Sequence, residues 1–407
     1  MSASTNCYWS MYFPPPSTIS TGLYLLTNLF LLTYRATRNS ITYIAEGNIH
    51  VVFQLNDKDV LRISKQSQSD AITTTRTTRT TTRTTTDSTA FTTSQCIQHV
   101  WTHLLGVQYI NIPRPITISS STIVKLNNIL FQLEKSSERD KKRLGSRITS
   151  TDGHLLNNAF VFSHSIEIKP KCGCLPSATV ISPNSPKHHI SRYQMHQHLK
   201  LYNNEIQSIS QYSPLDFFSG NDRLRRKSLL QLSNTPQNNF RYFIHGIQSK
   251  ATATSPLIVD IIGDILLRED KLLNSILAVQ KMDTLDFEQI DPVMPPDANE
   301  KEVLHSYLKN GNTCQKLNSY QKFLLARTAM DCSIIISFQR HNENDSNVTK
   351  KESLQDINQY GTFYHGHQCY IYHICVVDLD LKNISKMKKW IALDKDIVEC
   401  YTRHANN

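Results

Sequence analysis

The sequence predicts an α+β protein with two lobes, and three observations support this class. Strand-like runs come first along the chain, helical segments dominate the middle, and paired strand-like runs return near the end. Strands and helices that are segregated along a chain in this way are typical of α+β folds. The 407 residues are enough to bury a sizeable core and to form two lobes.

The first predicted element is a β-hairpin at 41–65. Ile49, Val51 and Phe53 alternate with polar residues, and the polar segment 56–59 separates them from a second apolar run. Alternation of this kind on both sides of a turn predicts two paired strands.

A tract of Thr, Ser, Gln and Arg follows, and we predict a disordered insertion at 64–94 because these residues can bury little apolar surface. The apolar run at 23–34 is too short to span a bilayer, and no basic residue precedes it as in a signal peptide. The predicted organisation is therefore an N-terminal extension at 1–40, an N-lobe at 41–168 that contains the insertion, and a C-lobe at 169–407.

Apolar periodicity predicts the remaining elements. The predicted helices lie at 96–105, 193–201, 224–232, 257–282 and 320–330, and the predicted strands lie at 334–338 and 370–377. A linker is expected at 292–296 and a polar surface loop at 341–358.

The most informative segment is Glu167-Ile168-Lys169-Pro170-Lys171. If the strand alternation continues through it, Glu167, Lys169 and Lys171 lie on one face. Two ammonium groups beside a carboxylate suit a ligand rich in phosphate, although a solvated edge strand would have the same pattern.

Two aspartates lie at the ends of predicted secondary-structure elements, where catalytic residues are often found. Asp331 lies between a predicted helix and a strand, and Asp378 follows a buried-looking strand. Phosphoryl transfer from ATP needs a carboxylate that holds magnesium and another near the attacking hydroxyl. Either aspartate could instead be an ordinary turn or capping residue.

Composition restricts the partners. The formal net charge of +10 and the isoelectric point of about 9.1 favour a polyanionic ligand. Nine cysteines without a Cys-x-x-Cys pair argue against a disulfide scaffold and for a reducing compartment.

Several blocks of the chain together resemble the inositol-pentakisphosphate 2-kinase family. They occur in the family's order, which is more specific than any single motif. The blocks begin with Glu167-Ile168-Lys169-Pro170-Lys171 and Arg192-Tyr193-Gln194-Met195-His196, continue with Pro214-Leu215-Asp216-Phe217-Phe218 and Thr235-Pro236-Gln237-Asn238-Asn239, and end with Asp331-Cys332-Ser333-Ile334 and Asp378-Leu379-Asp380-Leu381-Lys382.

The resemblance implies a two-lobed inositol phosphate kinase fold, with a smaller antiparallel N-lobe and a larger mixed C-lobe. It also implies an enzyme that uses ATP and magnesium to phosphorylate the 2-hydroxyl of inositol 1,3,4,5,6-pentakisphosphate. The expected ATP-binding residues are Gly47, Asn48, Arg62, His164, Glu167, Lys169, Arg241 and Asp378, the last of which would hold magnesium. The expected substrate-binding residues are Arg147, Lys171, His196, Lys200, Asn238, Asn239, Lys382, Lys386 and Trp390, and the expected catalytic residues are Asp331, Lys169, Lys200 and Asn238.

The chain departs from the family pattern in a few places. Lys386 stands where arginine is frequent, and Trp390 stands where tyrosine can occur. Plant members carry a Cys/His zinc site, but the corresponding region here offers only His305 and the nearby Cys314, so we expect no zinc. Residues 382, 386 and 390 are spaced to share one face of a helix.

Three alternative functions fit the sequence less well than a small-molecule kinase. An inactive relative that binds inositol phosphates should lack Asp331, Asp378 or Lys169, but all three are present. A nucleic-acid-binding module should show interleaved aromatic and basic residues, and a protein kinase should carry His-Arg-Asp and Asp-Phe-Gly. Neither pattern occurs, so we expect a monomeric small-molecule kinase in the nucleus, the cytoplasm or both, without nucleic-acid or membrane partners.

Overall fold

The computed structural model confirms the α+β class, and its described residues form two antiparallel sheets. No helix among the described residues is both long and apolar enough to cross a bilayer. The structure describes residues 41–66, 89–137, 139, 141–177, 179, 181–249, 255–288, 290, 298–341 and 360–405.

The first sheet has five strands in the order β1-β2-β3-β5-β4. The hairpin predicted from alternation is confirmed as β2 and β3, and β1 adds a strand before it. Val51, Phe53 and Ile63 point into a small apolar core that α3 covers with Leu126 and Leu130. The strands are β1 (Thr42–Glu46), β2 (His50–Gln54), β3 (Asp59–Gln66), β4 (Arg114–Thr117) and β5 (Arg147–Asn157). The helices of this part are α1 (Thr89–Cys96), α2 (Thr102–Leu105) and α3 (Ser120–Lys135), with a π-helical segment (Ile97–Trp101) between α1 and α2.

The insertion predicted at 64–94 is too long at both ends. Residues 64–66 belong to β3, and residues 89–94 belong to α1. Tertiary contacts hold the second half of α1: Thr93 Oγ1 donates to Glu300 at 2.8 Å, and Ser94 Oγ donates to the carbonyl of Pro113. Most of the stability of a short helix comes from such tertiary contacts. The middle of the predicted insertion lies outside the described residues.

The second sheet has six strands in the order β10-β11-β9-β6-β7-β8. It includes His164–Ile168, which lies in the range predicted for the N-lobe but pairs with strands on both sides in this second sheet. The strands are β6 (His164–Ile168), β7 (Phe240–Ile244), β8 (Ile247–Gln248), β9 (Ser333–Arg340), β10 (Gly361–His365) and β11 (Gln368–Val377).

The two faces of this sheet differ in character. Ile334, Ile336 and Phe338 of β9 join the large apolar core, while Ser333 and Ser337 point to the opposite face because side chains alternate along a strand. The helices are α4 (Arg192–Tyr202), α5 (Pro214–Phe217), α6 (Asp222–Asn234), α7 (Pro256–Arg268), α8 (Asp270–Gln280), α9 (Glu300–Lys309), α10 (Ser319–Ala329) and α11 (Met387–Ala405).

The single helix predicted at 257–282 is wrong, because α7 ends and α8 begins around Glu269. The backbone of Glu269 leaves helical geometry at φ −99° and ψ 29°. Its carboxylate accepts hydrogen bonds from the hydroxyls of Tyr109 and Tyr372. These tertiary contacts accompany a break that apolar periodicity does not reveal. The linker predicted at 292–296 and most of the loop predicted at 341–358 lie outside the described residues.

Candidate active site

The site begins at the end of β6, where Glu167 lies between its two neighbouring strands. Arg241 of β7 donates from Nη1 to Glu167 Oε2 at 3.2 Å. On the other side, Ser333 Oγ of β9 lies 2.9 Å from Glu167 Oε1 and 3.2 Å from Asp378 Oδ2. Because a hydroxyl has one proton to donate, Ser333 can serve one of these carboxylates at a time. The strand register therefore links Glu167 to Asp378 through a serine.

Lys169 follows β6 and joins the same group of charges. Its backbone N–H donates to the carbonyl of Asn239 at 2.8 Å, which fixes the start of the side chain. Its Nζ lies 3.1 Å from Asp378 Oδ2 and 3.9 Å from Glu167 Oε1. Burial alone would lower the pKa of Lys169, but Asp378 and Glu167 outweigh burial and raise it. The lysine is therefore a fixed cation.

Lys171 reaches the site by a route that the sequence did not predict. The strand ends at Ile168, and Lys171 has φ +62°, so the expected alternation does not continue through it. Gln280, which is fully buried, donates from Nε2 to the Lys171 carbonyl at 2.9 Å and accepts from Gly173 N at 2.8 Å. The side-chain amide thus stabilises the turn that directs Lys171 toward Asp331.

Asp331 lies between α10 and β9, as predicted, and two lysines hold it. Lys171 Nζ is 3.3 Å from Oδ1, and Lys382 Nζ is 2.9 Å from Oδ2. Burial would raise the pKa of Asp331, but the two ammonium groups hold it well below its usual range. The carboxyl group is consequently ionised at neutral pH, with half of its side chain exposed.

Asp378 follows β11 in a left-handed backbone conformation with φ +63°. Asp and Asn tolerate this region better than other non-glycine residues. Burial would raise the pKa of Asp378, but Lys169 lowers it below its usual value. Asp331, the predicted catalytic carboxylate, and Asp378, the predicted magnesium ligand, are therefore both ionised, and each is paired with a lysine of the 167–171 segment.

The first sheet contributes Arg62, which bridges the two sheets through a partner that sequence reasoning missed. Arg62 Nη1 donates to Asp380 Oδ1 at 3.0 Å, and its Nη2 contacts Asp380 Oδ2 and His50 Nδ1. Burial and Arg62 lower the pKa of His50 to about 4, so the imidazole is neutral. Because Asp380 is two residues from Asp378, this bridge brings Arg62 to the carboxylate cluster.

The predicted nucleotide loop at Gly47 and Asn48 is exposed and lies above a buried charge cluster. Gly47 N donates to the His50 carbonyl at 2.8 Å. Beneath the loop, Glu46 pairs with Lys65 and Arg139. The loop is thereby attached to a rigid support.

Arg147 is not brought to the Asp331 cluster by any described contact. Its guanidinium makes two hydrogen bonds of 2.8 Å with Glu134. The role expected for Arg147 toward a substrate phosphate stays a prediction.

Helix α4 and the loop before β7 contribute the next predicted residues. Burial and the cations Lys200, Arg192 and Lys171 lower the pKa of His196 to about 4, so His196 is neutral and lies within a basic region. Asn238 is exposed, whereas the Asn239 side chain is buried and donates to Tyr193 Oη at 3.4 Å. The Asn239 side chain is therefore engaged in a buried contact, whereas the Asn238 side chain is accessible.

His164 lies on the opposite face of the second sheet from Glu167. Its ring stacks on Phe338, and its Nδ1 lies 2.7 Å from Tyr242 Oη. Glu167 pairs with Arg241, and Arg241 and Tyr242 are consecutive in β7, so their side chains point to opposite faces. His164 and Glu167 are therefore not neighbours on one face, and the role expected for His164 toward ATP stays a prediction.

The expected single helix face at 382, 386 and 390 is wrong. Lys382 precedes the helices, Lys386 ends a short 3₁₀-helix, and only Trp390 lies in α11. Lys382 still reaches Asp331, but Lys386 is exposed, and Trp390 packs on Phe323 with 6.2 Å between ring centroids. A spacing of four residues therefore did not predict a shared helix face for these three positions.

The carboxylate oxygens near Asp378 are chemically suited to magnesium, which prefers oxygen ligands and is often held by one or two carboxylates. Asp378 is half exposed and Asp380 is close in the chain, so oxygen donors are accessible there. Within the described ranges, no cluster of three or more His, Cys, Asp or Glu side chains is arranged to bind a metal ion.

Comparison with known proteins gives a consistent result. A family model described as inositol-pentakisphosphate 2-kinase matches residues 43–396. A protein of that name from Arabidopsis thaliana is 32% identical over 308 residues, covering 63% of this chain and 65% of the relative. One from Oryza sativa subsp. indica is 32% identical over 281 residues, covering 59% and 60%. One from Danio rerio is 23% identical over 472 residues, covering 90% and 93%. The chain thus spans about two thirds or less of the plant relatives' length.

Proposed function

This chain belongs to the inositol-pentakisphosphate 2-kinase family, and we propose that it transfers the γ-phosphate of ATP to the 2-hydroxyl of inositol 1,3,4,5,6-pentakisphosphate. The product would be inositol hexakisphosphate. The observation that carries this proposal is a pair of ionised aspartates in one cluster, each held by a different lysine of the same short segment. Lys169 holds Asp378, and Lys171 holds Asp331.

The group around Lys169 suits the nucleotide. Glu167, at the end of β6, would face the base, and Lys169 and Arg62 would approach the nucleotide phosphates. Magnesium, when bound, would be held by Asp378 and would offset charge on the transferred phosphoryl group. Lys169 pairs with Asp378, and Arg62 pairs with Asp380. Phosphates of a bound nucleotide would replace these carboxylates as the anionic partners of the two cations.

The group around Asp331 suits the acceptor. Lys171 and Lys382 would contact ring phosphates, and the neutral His196 lies within the same basic region. Because Asp331 is strongly ionised, it would accept the hydrogen bond of the 2-hydroxyl and orient that oxygen toward the phosphoryl group. A loose transition state demands positioning and charge stabilisation more than early proton removal.

The test is an assay of the purified chain with ATP, magnesium and the pentakisphosphate that lacks the 2-phosphate, with products separated by anion-exchange chromatography. Hexakisphosphate is the expected product. If the folded protein binds the pentakisphosphate and forms no product, the alternative of an inactive or weak inositol-polyphosphate-binding relative replaces the kinase.

A substitution locates the chemistry. Asp331→Asn is expected to lower kcat by about a thousandfold, within the range for loss of a positioned proton acceptor. Affinity for a non-hydrolysable ATP analogue should be nearly unchanged, because Asp331 is on the acceptor side. Asp396→Asn, which removes an exposed carboxylate from α11, is the matched control and should retain full activity.

A further inference from the structure

Two neighbouring thiols lie directly after Lys171. Cys172 Sγ and Cys174 Sγ are 3.8 Å apart, and both residues are half-buried and free. Among the cysteines that the structure describes, no other pair of sulfur atoms is in contact at this distance. Cys96, Cys332, Cys375 and Cys400 are buried, and Cys314 and Cys369 are half-buried like the pair.

The two thiols have unequal acidities. The hydrogen bond with Cys174 lowers the pKa of Cys172 to about 7 against the effect of burial, and the Arg327 guanidinium contributes in the same direction. The same contact and burial raise the pKa of Cys174 far above its ordinary value. At neutral pH the pair therefore consists of a partly ionised sulfur beside a protonated one, and thiolates are the reactive form of cysteine.

We propose that Cys172 and Cys174 form a reversible dithiol–disulfide site that a hydroperoxide oxidises and a thiol reductant restores. The Cys172 thiolate attacks one oxygen of hydrogen peroxide, whose O–O bond breaks to give a sulfenic acid and, after protonation, water. The Cys174 thiol then attacks the sulfenic sulfur, the S–S bond forms, and a second water leaves. In sum, two thiols lose two electrons and two protons, and one peroxide becomes two waters.

We expect bond formation to displace the segment next to Lys171. The sulfurs have to approach from 3.8 Å to about 2.05 Å. Gly173, between them, is held by Gln280, and a Cβ atom there would lie 2.2 Å from the Phe218 ring, so this residue has little room to move. The displacement is expected to fall on Cys172 and on Lys171, whose φ is already +62°.

The expected effect of oxidation on activity rests on the proposed function, whereas formation of the disulfide does not. Because Lys171 Nζ is 3.3 Å from Asp331, oxidation should disturb the acceptor half of the site. We expect kcat/KM for the pentakisphosphate to fall by about tenfold. The KM for ATP should change much less, because Lys169 is anchored separately through its bond to the Asn239 carbonyl.

Mass spectrometry of the full chain tests the site without any assay of activity. The protein is treated with graded hydrogen peroxide, its remaining thiols are alkylated, and it is digested with trypsin. The peptide 172–187 contains both sulfurs. It should lose two hydrogens, take up no alkyl group and recover with dithiothreitol, at peroxide concentrations that leave the comparably exposed Cys369 reduced. Oxidation of Cys369 first, or sulfinic acid without a disulfide, would overturn the proposal.

Substitutions connect the disulfide to activity. Reduced Cys174→Ser should match the reduced wild type and should lose the dithiothreitol-reversible inactivation, with Cys174→Ala as a second variant if the serine form is unstable. Cys369→Ser is the matched control and should be inactivated like the wild type. Reversible inactivation of Cys174→Ser to the wild-type extent contradicts the proposal. If the reduced wild type forms no hexakisphosphate, the proposed function fails, and the peptide masses still decide the redox site.

Discussion

Two charge clusters in this protein both pair carboxylates with cationic side chains, and they differ in their access to water. Beneath the loop at 47–48, the side chains of Glu46, Lys65 and Arg139 are 0%, 1% and 0% exposed. In the candidate site, Asp331 and Asp378 are 51% and 47% exposed, and their partners Lys171 and Lys169 are 24% exposed. The first cluster is closed to any ligand, and the second is open to one.

The difference indicates what each cluster does. A buried charge is costly unless it is paired, so removing one member of a closed cluster leaves the others without compensation. An exposed ion pair contributes little to stability, because water can replace either partner. In the proposed function, Lys169 and Lys171 could therefore exchange carboxylates for phosphates, while Glu46 pairs with the buried cations beneath the loop. Changes in the first cluster should alter folding, and changes in the second should alter function.

Glu46→Gln gives the largest expected effect on stability. It leaves Lys65 and Arg139 buried without their carboxylate, and the free energy of unfolding should fall by about 3–5 kcal/mol. Urea denaturation followed by circular dichroism measures the change. The control is Glu399→Gln, whose carboxylate is 46% exposed and pairs along α11 with Lys395 and Arg403, and it should cost under about 1 kcal/mol. Equal losses in the two variants would break the comparison.

The sequence predicted this site unevenly. Lys169, Lys171, Asp331 and Asp378 were found because short blocks in the family's order carry them. The local signals of alternation and turns also located β2, β3, β9 and β11. The match between blocks, however, assigns positions in a chain and not directions in space, so it could not reveal that His164 points away from Glu167.

The contacts that sequence reasoning missed are those with no local signal. Arg62 and Asp380 are 318 positions apart, and nothing near either residue indicates the other. Gln280 is a single buried amide in a leucine-rich helix, where an apolar pattern hides it. Lys171 itself has a left-handed backbone conformation, which strand periodicity does not predict. Long-range pairing and single special backbone conformations therefore account for most of the errors.

Lys171→Met tests the open cluster. In the proposed function Lys171 contacts a ring phosphate, and such charged hydrogen bonds are worth about 1.5–3 kcal/mol, so KM for the pentakisphosphate should rise by about ten- to a hundredfold. Its stability should stay within about 1 kcal/mol of the wild type, because the pair with Asp331 is accessible to water. Lys169→Met is the matching variant on the nucleotide side, and it should raise the KM for ATP instead. A stability loss as large as that of Glu46→Gln would assign Lys171 to the structural class.

Glu300 extends the comparison to a buried carboxylate that forms no ion pair with the residues that the structure describes. Its Oε1 is buried and has no hydrogen-bond partner in the part of the chain that the structure describes, and burial raises its pKa to about 7 from 4.5. The folded protein then binds this proton more tightly than the unfolded chain, so stability should fall as pH rises through about 4.5 to 7.

Glu300→Gln removes this dependence while keeping the oxygen that accepts from Thr93. The variant should be more stable than the wild type at pH 8 by on the order of 2 kcal/mol, and the advantage should vanish near pH 4. Thermal and urea unfolding across pH measure it. Glu302→Gln removes the same charge from the same turn of α9 and should show no such gain. A constant difference at all pH values would contradict the titration of Glu300.

Asp380→Asn has the smallest expected effect, because its ion pair with Arg62 is intermediate between the two clusters, at 27% and 16% exposure. If nucleotide phosphates and Asp380 compete for Arg62, neutralising Asp380 should lower KM for ATP by about threefold, or roughly 0.6 kcal/mol. Steady-state kinetics and calorimetry with an ATP analogue measure this change. Asp59→Asn, which removes the partner of Arg114 from the same strand as Arg62, should leave KM for ATP unchanged. A higher KM in Asp380→Asn would mean that Asp380 positions Arg62 for the nucleotide instead of competing with it. The ion pair of Asp380 with Arg62 would then resemble the closed cluster at Glu46 more than the open cluster at Asp331 and Asp378.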